Sequence, residues 1–265
     1  KQNGFFETVI RPIINELKQV RFPSEDVIEW SSPGKLNTRV NYPDFDEYKK
    51  NLEKVIAEIR SGRYEKTVMA RKVDLDFDGI VDPVAILHEL KNLPTLRYDF
   101  LFQWNGGNTF IGSSPERLYK RDGRKIFSEA VAGTRTRGEK EQDDDKLAEE
   151  LLASDKEQRE HDYVITSIEE GLRTHCAALD VEHKKGLLKL KEGQHLITHF
   201  EGQLKPGVMD DVLISTLHPT PAVGGNPRDK ALDAIRRFEP FKRGWYAGVI
   251  GTVSADAADF AVGLR

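Results

Sequence analysis

The chain has a single cysteine, Cys176, in 265 residues. One thiol cannot close an internal disulfide, and it cannot furnish a cysteine-rich zinc site. A metal here would be held by oxygen donors, which favours magnesium or calcium. A reducing, cytoplasmic setting is expected. Positive charge is not in excess: 40 Lys and Arg face 44 Asp and Glu, for a net charge of -4. That leaves no basic footprint for nucleic acid. No apolar run approaches the roughly 18–20 residues of a membrane helix, and the first residues carry no leader pattern. Repeats and low-complexity tracts are missing too. What remains is a charged globular composition, 38% hydrophobic and 32% charged, long enough for one large domain or two small ones.

Periodicity supplies the elements. Residues 5–19 read as a helix, and 22–41 as an irregular segment rich in Pro, Ser and Gly. The clearest helix is 44–61: Asp44 and Glu47 make a cap pair, and Tyr48, Leu52, Val55, Ile56 and Ile59 form its stripe. A strand is expected over 66–77 and a short helix over 83–91. Residues 98–104 and 109–112 flank an Asn-Gly-Gly-Asn turn, and 117–120 and 125–127 flank Arg-Asp-Gly, both hairpin signals. Residues 139–147 read as a charged surface segment. A strand over 195–204, helices over 208–217 and 229–238, and a last hairpin of 246–253 with 260–264 complete the pass. Hairpins mixed with separate helices predict an α+β fold, helices against largely antiparallel sheet.

The most informative stretch is 151–164, LLASDKEQREHDYV. Ser154 is a good N-cap, with Glu157 three residues on. A helix from Asp155 aligns Glu157 and Glu160 with apolar Val164, Ile168 and Leu172, so both carboxylates are expected on the inward side. Buried carboxylates need a cation or a hydrogen-bonding partner. Helix position alone leaves a metal and an internal salt bridge equally open.

Other segments carry comparable pairs of readings. Lys66 is a snorkelling strand-end lysine or a general base. Glu116, after the small residues of GSSPE, is an exposed glutamate or a proton donor. Gly133 and Thr134, near Arg135 and Arg137, are a hairpin rim or a place where backbone meets an anion. His195 is a structural histidine or a hydrogen-bond partner for a substrate oxygen. The loop HPTPAVGGNP, 218–227, holds three prolines and two glycines in ten residues, more constraint than an ordinary connection needs, and reads as site-lining.

Seven stretches in this order resemble the chorismate-utilising enzymes: YEKTVMAR (64–71), FIGSSPERL (110–118), EAVAGTRTRG (129–138), SDKEQREHDYV (154–164), HLITHFEGQL (195–204), HPTPAVGGNP and RGWYAGVIG (243–251). Any one is weak, and seven in order are specific. The resemblance is nearest to the isochorismate synthase branch, in its menaquinone-type form. It implies two packed, largely antiparallel sheets surrounded by helices, as one chorismate-binding catalytic domain over 1–265, with 1–41 in an N-terminal region. It also implies a magnesium-dependent isomerisation of chorismate, in which water adds at ring C2 and the C4 hydroxyl leaves.

Residue by residue, the matching positions make Lys66 the base on water and Glu116 the acid on the departing hydroxyl. Glu160 matches a Mg²⁺ ligand, with Glu157 beside it. Gly133 and Thr134 match the backbone at the ring carboxylate, and His195, Ala222 and Val223 match the pocket lining. Arg265 matches the arginine that binds the enolpyruvyl carboxylate. Lys66 together with Ala222 favours stopping at isochorismate over salicylate formation, which adds pyruvate elimination. It also favours water over ammonia as nucleophile, so a monomer without an amidotransferase subunit is expected. Family members continue into a further strand and helix that carry more magnesium ligands, so the chain reads as cut short at both ends. A non-catalytic binding protein of the same fold is the reading from a different class.

Overall fold

The computed structural model describes residues 11–12, 33–92, 98–104, 106–182, 185–191 and 193–264. The helix expected over 5–19, apart from residues 11–12, all of 22–32 and Arg265 lie outside them.

Strand β1 (Leu36–Tyr42) pairs antiparallel with β3 (Lys72–Phe77). The segment read as irregular up to Asn41 thus ends in a strand, and the alternation of Leu36, Thr38, Val40 and Tyr42 is its local signal. Helix α1 (Phe45–Arg60) starts as expected: the Asp44 carboxylate accepts from the Glu47 N–H at 2.9 Å. The strand expected over 66–77 is two strands, β2 (Lys66–Thr67) and β3. The break falls between them because 68–71 have no neighbouring strand to pair with. Helix α2 (Pro83–Lys91) and the hairpin of β4 (Tyr98–Gln103) with β5 (Thr109–Ser114) follow.

The main sheet is built from β6 (Arg117–Asp122), β7 (Lys125–Arg135), β8 (Cys176–Val181), β9 (Gly186–Lys189), β10 (Gln194–Leu204), β12 (Val249–Val253) and β13 (Ala257–Val262). Its order is β12-β13-β6-β7-β10-β8, with β9 also paired to β10. All pairings are antiparallel. The described strands outside this sheet form three two-stranded ribbons, one of which joins β2 to β11 (Gly225–Asn226). The α+β class and antiparallel pairing are therefore as the sequence implies.

Helix α3 (Glu141–Ala153) replaces the expected surface segment. Its first turn is acidic, which suits the positive end of a helix dipole. It is fixed by a contact sequence cannot show: buried Asp144 takes a two-point bond from Arg137, at 2.6 and 2.9 Å. Helix α4 (Asp155–His175) lies across the sheet and buries Val164, Ile168 and Leu172. These meet Leu118, Ile126, Phe200 and Leu204 from the strands, and Leu213 and Leu217 from α5 (Asp210–Leu217). Burying each such side chain contributes about 1.5–3 kcal/mol, so the α4 stripe fixes which face the helix turns to the sheet. Helix α6 (Arg228–Phe238) buries Ala231, Ala234 and Ile235.

Candidate functional site

Two groups of side chains meet at the N-terminal half of α4. The first centres on Glu116. It lies in the two-residue link between β5 and β6; its N–H donates to Ser114 Oγ at 3.3 Å, and its carbonyl accepts from Val262 N at 3.0 Å. The side chain is buried at 5% exposure. Its carboxylate receives a bond from the Thr220 hydroxyl at 3.2 Å. Burial pushes its pKa up to about 7; Thr220 and the nearby Lys66 ammonium oppose that rise, and Glu129 adds to it. A carboxyl with that balance holds a proton near neutral pH and can donate it.

Lys66 is positioned by pairing. Its strand β2 binds β11, in register Lys66 to Asn226 and Thr67 to Gly225. Flanking bonds run from Glu65 N to Asn226 O at 2.8 Å and from Val68 N to Gly224 O at 3.0 Å. Gly225 has φ of +140°, and a Cβ there would sit 2.2 Å from the Lys66 carbonyl. Only glycine permits this approach, so the constrained loop 218–227 holds the lysine segment. Lys66 Nζ is buried without an aligned hydrogen bond, and lies 3.1 Å from Glu160 Oε1 as an ion pair.

The second group centres on Gly133. At the β7–β10 pairing, His195 faces Thr134 and Leu196 faces Ala132, leaving Gly133 as an extra, bulged residue with φ of +73°. A Cβ on it would meet Glu157 Cβ at 3.2 Å and Leu196 Cδ1 at 3.4 Å. Glu157 reaches this bulge. Its Oε2 accepts from Thr134 N at 3.3 Å, and its Oε1 lies 3.3 Å from Arg135 Nη1 and 3.2 Å from Lys156 Nζ. Burial acts to raise the Glu157 pKa, but Lys156, the Thr134 N–H and Arg135 outweigh it and the net direction is down. Its carboxylate is therefore spent on these donors; the Ser154 side chain accepts from Glu157 N, and the reciprocal half of the capping box is replaced. His195 Nδ1 lies 3.1 Å from Thr134 Oγ1 and 3.2 Å from Gly133 O.

The expectation of two inward carboxylates holds fully only for Glu157. Glu160 keeps 34% side-chain exposure and turns its carboxylate to Lys66. Both readings of that helix are thus answered in part by ion pairs. Magnesium suits these donors in chemistry but not in number: among the described residues no three Asp, Glu, His or Cys side chains converge. The described residues therefore do not make a metal site by themselves. Val223 places its side chain in the core at 1% exposure, and Ala222 packs beside it.

Several residues that matter here were not singled out from sequence. Thr220 sits in a loop flagged only for its prolines and glycines. His161, fully buried, brings its Nε2 to 3.0 Å from Thr198 Oγ1, and burial lowers its pKa to about 4. It shares the stripe of Glu157 and Val164, a signal for burial but not for a partner. Among the described residues no helix is long and apolar enough to cross a membrane.

The sequence profile of the family described as chorismate binding enzyme matches residues 2–265. The isochorismate synthase MenF of Bacillus subtilis is 40% identical over 223 residues, 84% of this chain and 47% of that protein. The structure of MenF, the menaquinone-specific isochorismate synthase from Escherichia coli, superposes with a TM-score of 0.83 at 35% identity, over 90% of this chain and 56% of that one. Anthranilate synthase component I from Streptococcus pneumoniae superposes with a TM-score of 0.81 over 98% of this chain and 57% of that one, and at 22% identity it speaks for the fold alone. The chain spans about half the length of the curated relatives it matches.

Proposed function

The chain belongs to the chorismate-binding enzyme family, and from that premise we propose that it carries the acid and base of an isochorismate synthase. In this reading Glu116 protonates the departing C4 hydroxyl of chorismate, which leaves as water, while Lys66, acting as the neutral amine, takes a proton from the water that adds at C2, so that the ring hydroxyl is moved from C4 to C2 overall. The observation that carries it is Glu116: a buried carboxyl held near a pKa of about 7, within electrostatic reach of a buried lysine amine. A hydroxyl is a poor leaving group, and a positioned acid contributes about 10²–10⁴-fold.

The bulge at Gly133 and Thr134, with His195 against it, is the proposed seat of the ring carboxylate. Ala222, Val223 and Arg265 complete the proposed substrate contacts. The proposed cofactor is Mg²⁺, for which this chain would offer the Glu160 carboxylate, with Glu157 beside it; the ion would supply positive charge for the substrate's carboxylate. A cytoplasmic location goes with the same proposal.

The test is incubation of the full-length protein with chorismate and Mg²⁺ and chromatographic separation of the products. Isochorismate alone is expected. Salicylate with pyruvate, an aminated product that requires glutamine or ammonia, or no turnover would overturn the reading.

A further inference from the structure

Residues 68–71 follow β2 directly and belong to no strand. Their backbone groups must be satisfied by something other than a sheet. Beyond the Val68 N–H, which the Gly224 carbonyl takes, two side chains distant in sequence serve two of these groups. Arg243 Nη2 donates to Val68 O at 2.6 Å, and the Glu239 carboxylate accepts from Ala70 N at 2.8 Å. The two side chains are themselves joined by a fork, Nε to Oε2 at 2.8 Å and Nη2 to Oε1 at 2.5 Å. The pair is well shielded, with side-chain exposures of 16% for Arg243 and 2% for Glu239. The guanidinium has one more bond: Nη1 donates to Val223 O at 3.0 Å. Val223 N in turn donates to the carbonyl of Thr220, whose hydroxyl holds Glu116. One guanidinium thus grips the segment that carries Lys66 and the loop that orients Glu116.

We propose that Arg243 and Glu239 form a positioning pair that sets the placement of Lys66 relative to Glu116. The proposal rests on the roles given to Lys66 and Glu116 above. A planar fork of five donors suits the task, since it can bind a carboxylate and two carbonyls in fixed directions at once. Lysine has no such fork.

The test pairs kinetics with hydrogen exchange on the full-length protein, in Glu239→Ala and Arg243→Lys. Exchange of the Ala70 amide is expected to accelerate in Glu239→Ala. The kcat for isochorismate formation is expected to fall about 10²-fold, the cost of a misplaced reacting group. KM should stay within about threefold, because neither residue is among the proposed substrate contacts. Added to Lys66→Ala, either variant should cost little more. If Glu239→Ala does not fold, Glu239→Gln keeps the volume, removes the charge and should show a smaller change of the same kind. Unchanged exchange over 68–70, or a raised KM with unchanged kcat, would overturn the proposal. If the parent protein makes no isochorismate, the positioning role falls with the reaction. Faster exchange would then still identify the pair as a clamp on this segment, separating the two failures.

Discussion

Glu116 and Glu157 are the same residue type at nearly the same burial, 5% and 6% exposed, and their environments drive them in opposite directions. Glu116 has one hydroxyl donor and is pushed up to about 7. Glu157 has a backbone N–H and two cationic side chains within 3.3 Å and is held below its ordinary range. Burial alone does not assign a role to a carboxylate; the count and charge of its donors do. The first is suited to giving up a proton, the second to remaining an anion that fixes a backbone bulge. The lysine's own partner is a third glutamate, Glu160, 3.1 Å from Lys66 Nζ and more exposed than Glu157.

The contrast can be broken most severely at Glu116. Glu116→Gln keeps the shape and removes the proton donor, so kcat should fall by about 10²–10⁴-fold with folding intact. Lys66→Ala should produce a loss of similar size, read in the same assay, because a two-residue strand end carries little core packing. An activity near the parent's in either variant would remove that group from the reaction.

Glu157→Gln is the next largest effect, and it falls on stability. Loss of the charge facing Arg135 and Lys156 should cost about 1–3 kcal/mol in denaturant unfolding. The pH dependences of the two glutamates have opposite signs. Glu116 has its folded pKa above the ordinary 4.5, so between 4.5 and about 7 the folded protein keeps a proton that the unfolded chain releases, and its contribution to stability falls as pH rises. Glu157 has its folded pKa lowered, so its contribution is present above the ordinary value and lost as pH falls through the folded one. Unfolding curves should therefore show Glu116→Gln gaining on the parent with rising pH, and Glu157→Gln losing least at low pH.

Thr220→Val sharpens the comparison with the smallest change. It deletes the hydroxyl that favours the ionised Glu116, so the pKa should rise further and the alkaline limb of the kcat profile should move up. A downward move would contradict the assignment.

Much of this was legible in sequence wherever the physics is local. The Asp44 cap, the pairing of β4 with β5 and the Val164–Ile168–Leu172 stripe depend on neighbours close in sequence, and the described residues form all three. Misreadings came where a distant group decides. The stretch 139–147 looked like solvated charge because its anchor, Arg137 on Asp144, works with Lys189 of β9, 3.0 Å from Asp144 and 45 residues away in sequence. The strand through 66–77 broke because its middle is served by Arg243 and Glu239, more than 160 residues away. The site divides the same way. Glu116 and Lys66 stood out through the motifs around them, whereas Thr220 and Arg243 act through contacts that only the fold creates. For Glu157 a salt bridge and a metal stood equally open in sequence, and its donors in the fold are Thr134, Arg135 and Lys156.

The most direct test is a site-resolved titration of the glutamate carboxyls by carbon-detected NMR on the folded protein, with Glu116→Gln and Glu157→Gln assigning the two signals. Glu116 should titrate near pH 7, and Glu157 below the ordinary carboxylate range. A Glu116 midpoint near 4.5, or a Glu157 midpoint above it, would contradict the division of roles between the two buried carboxylates.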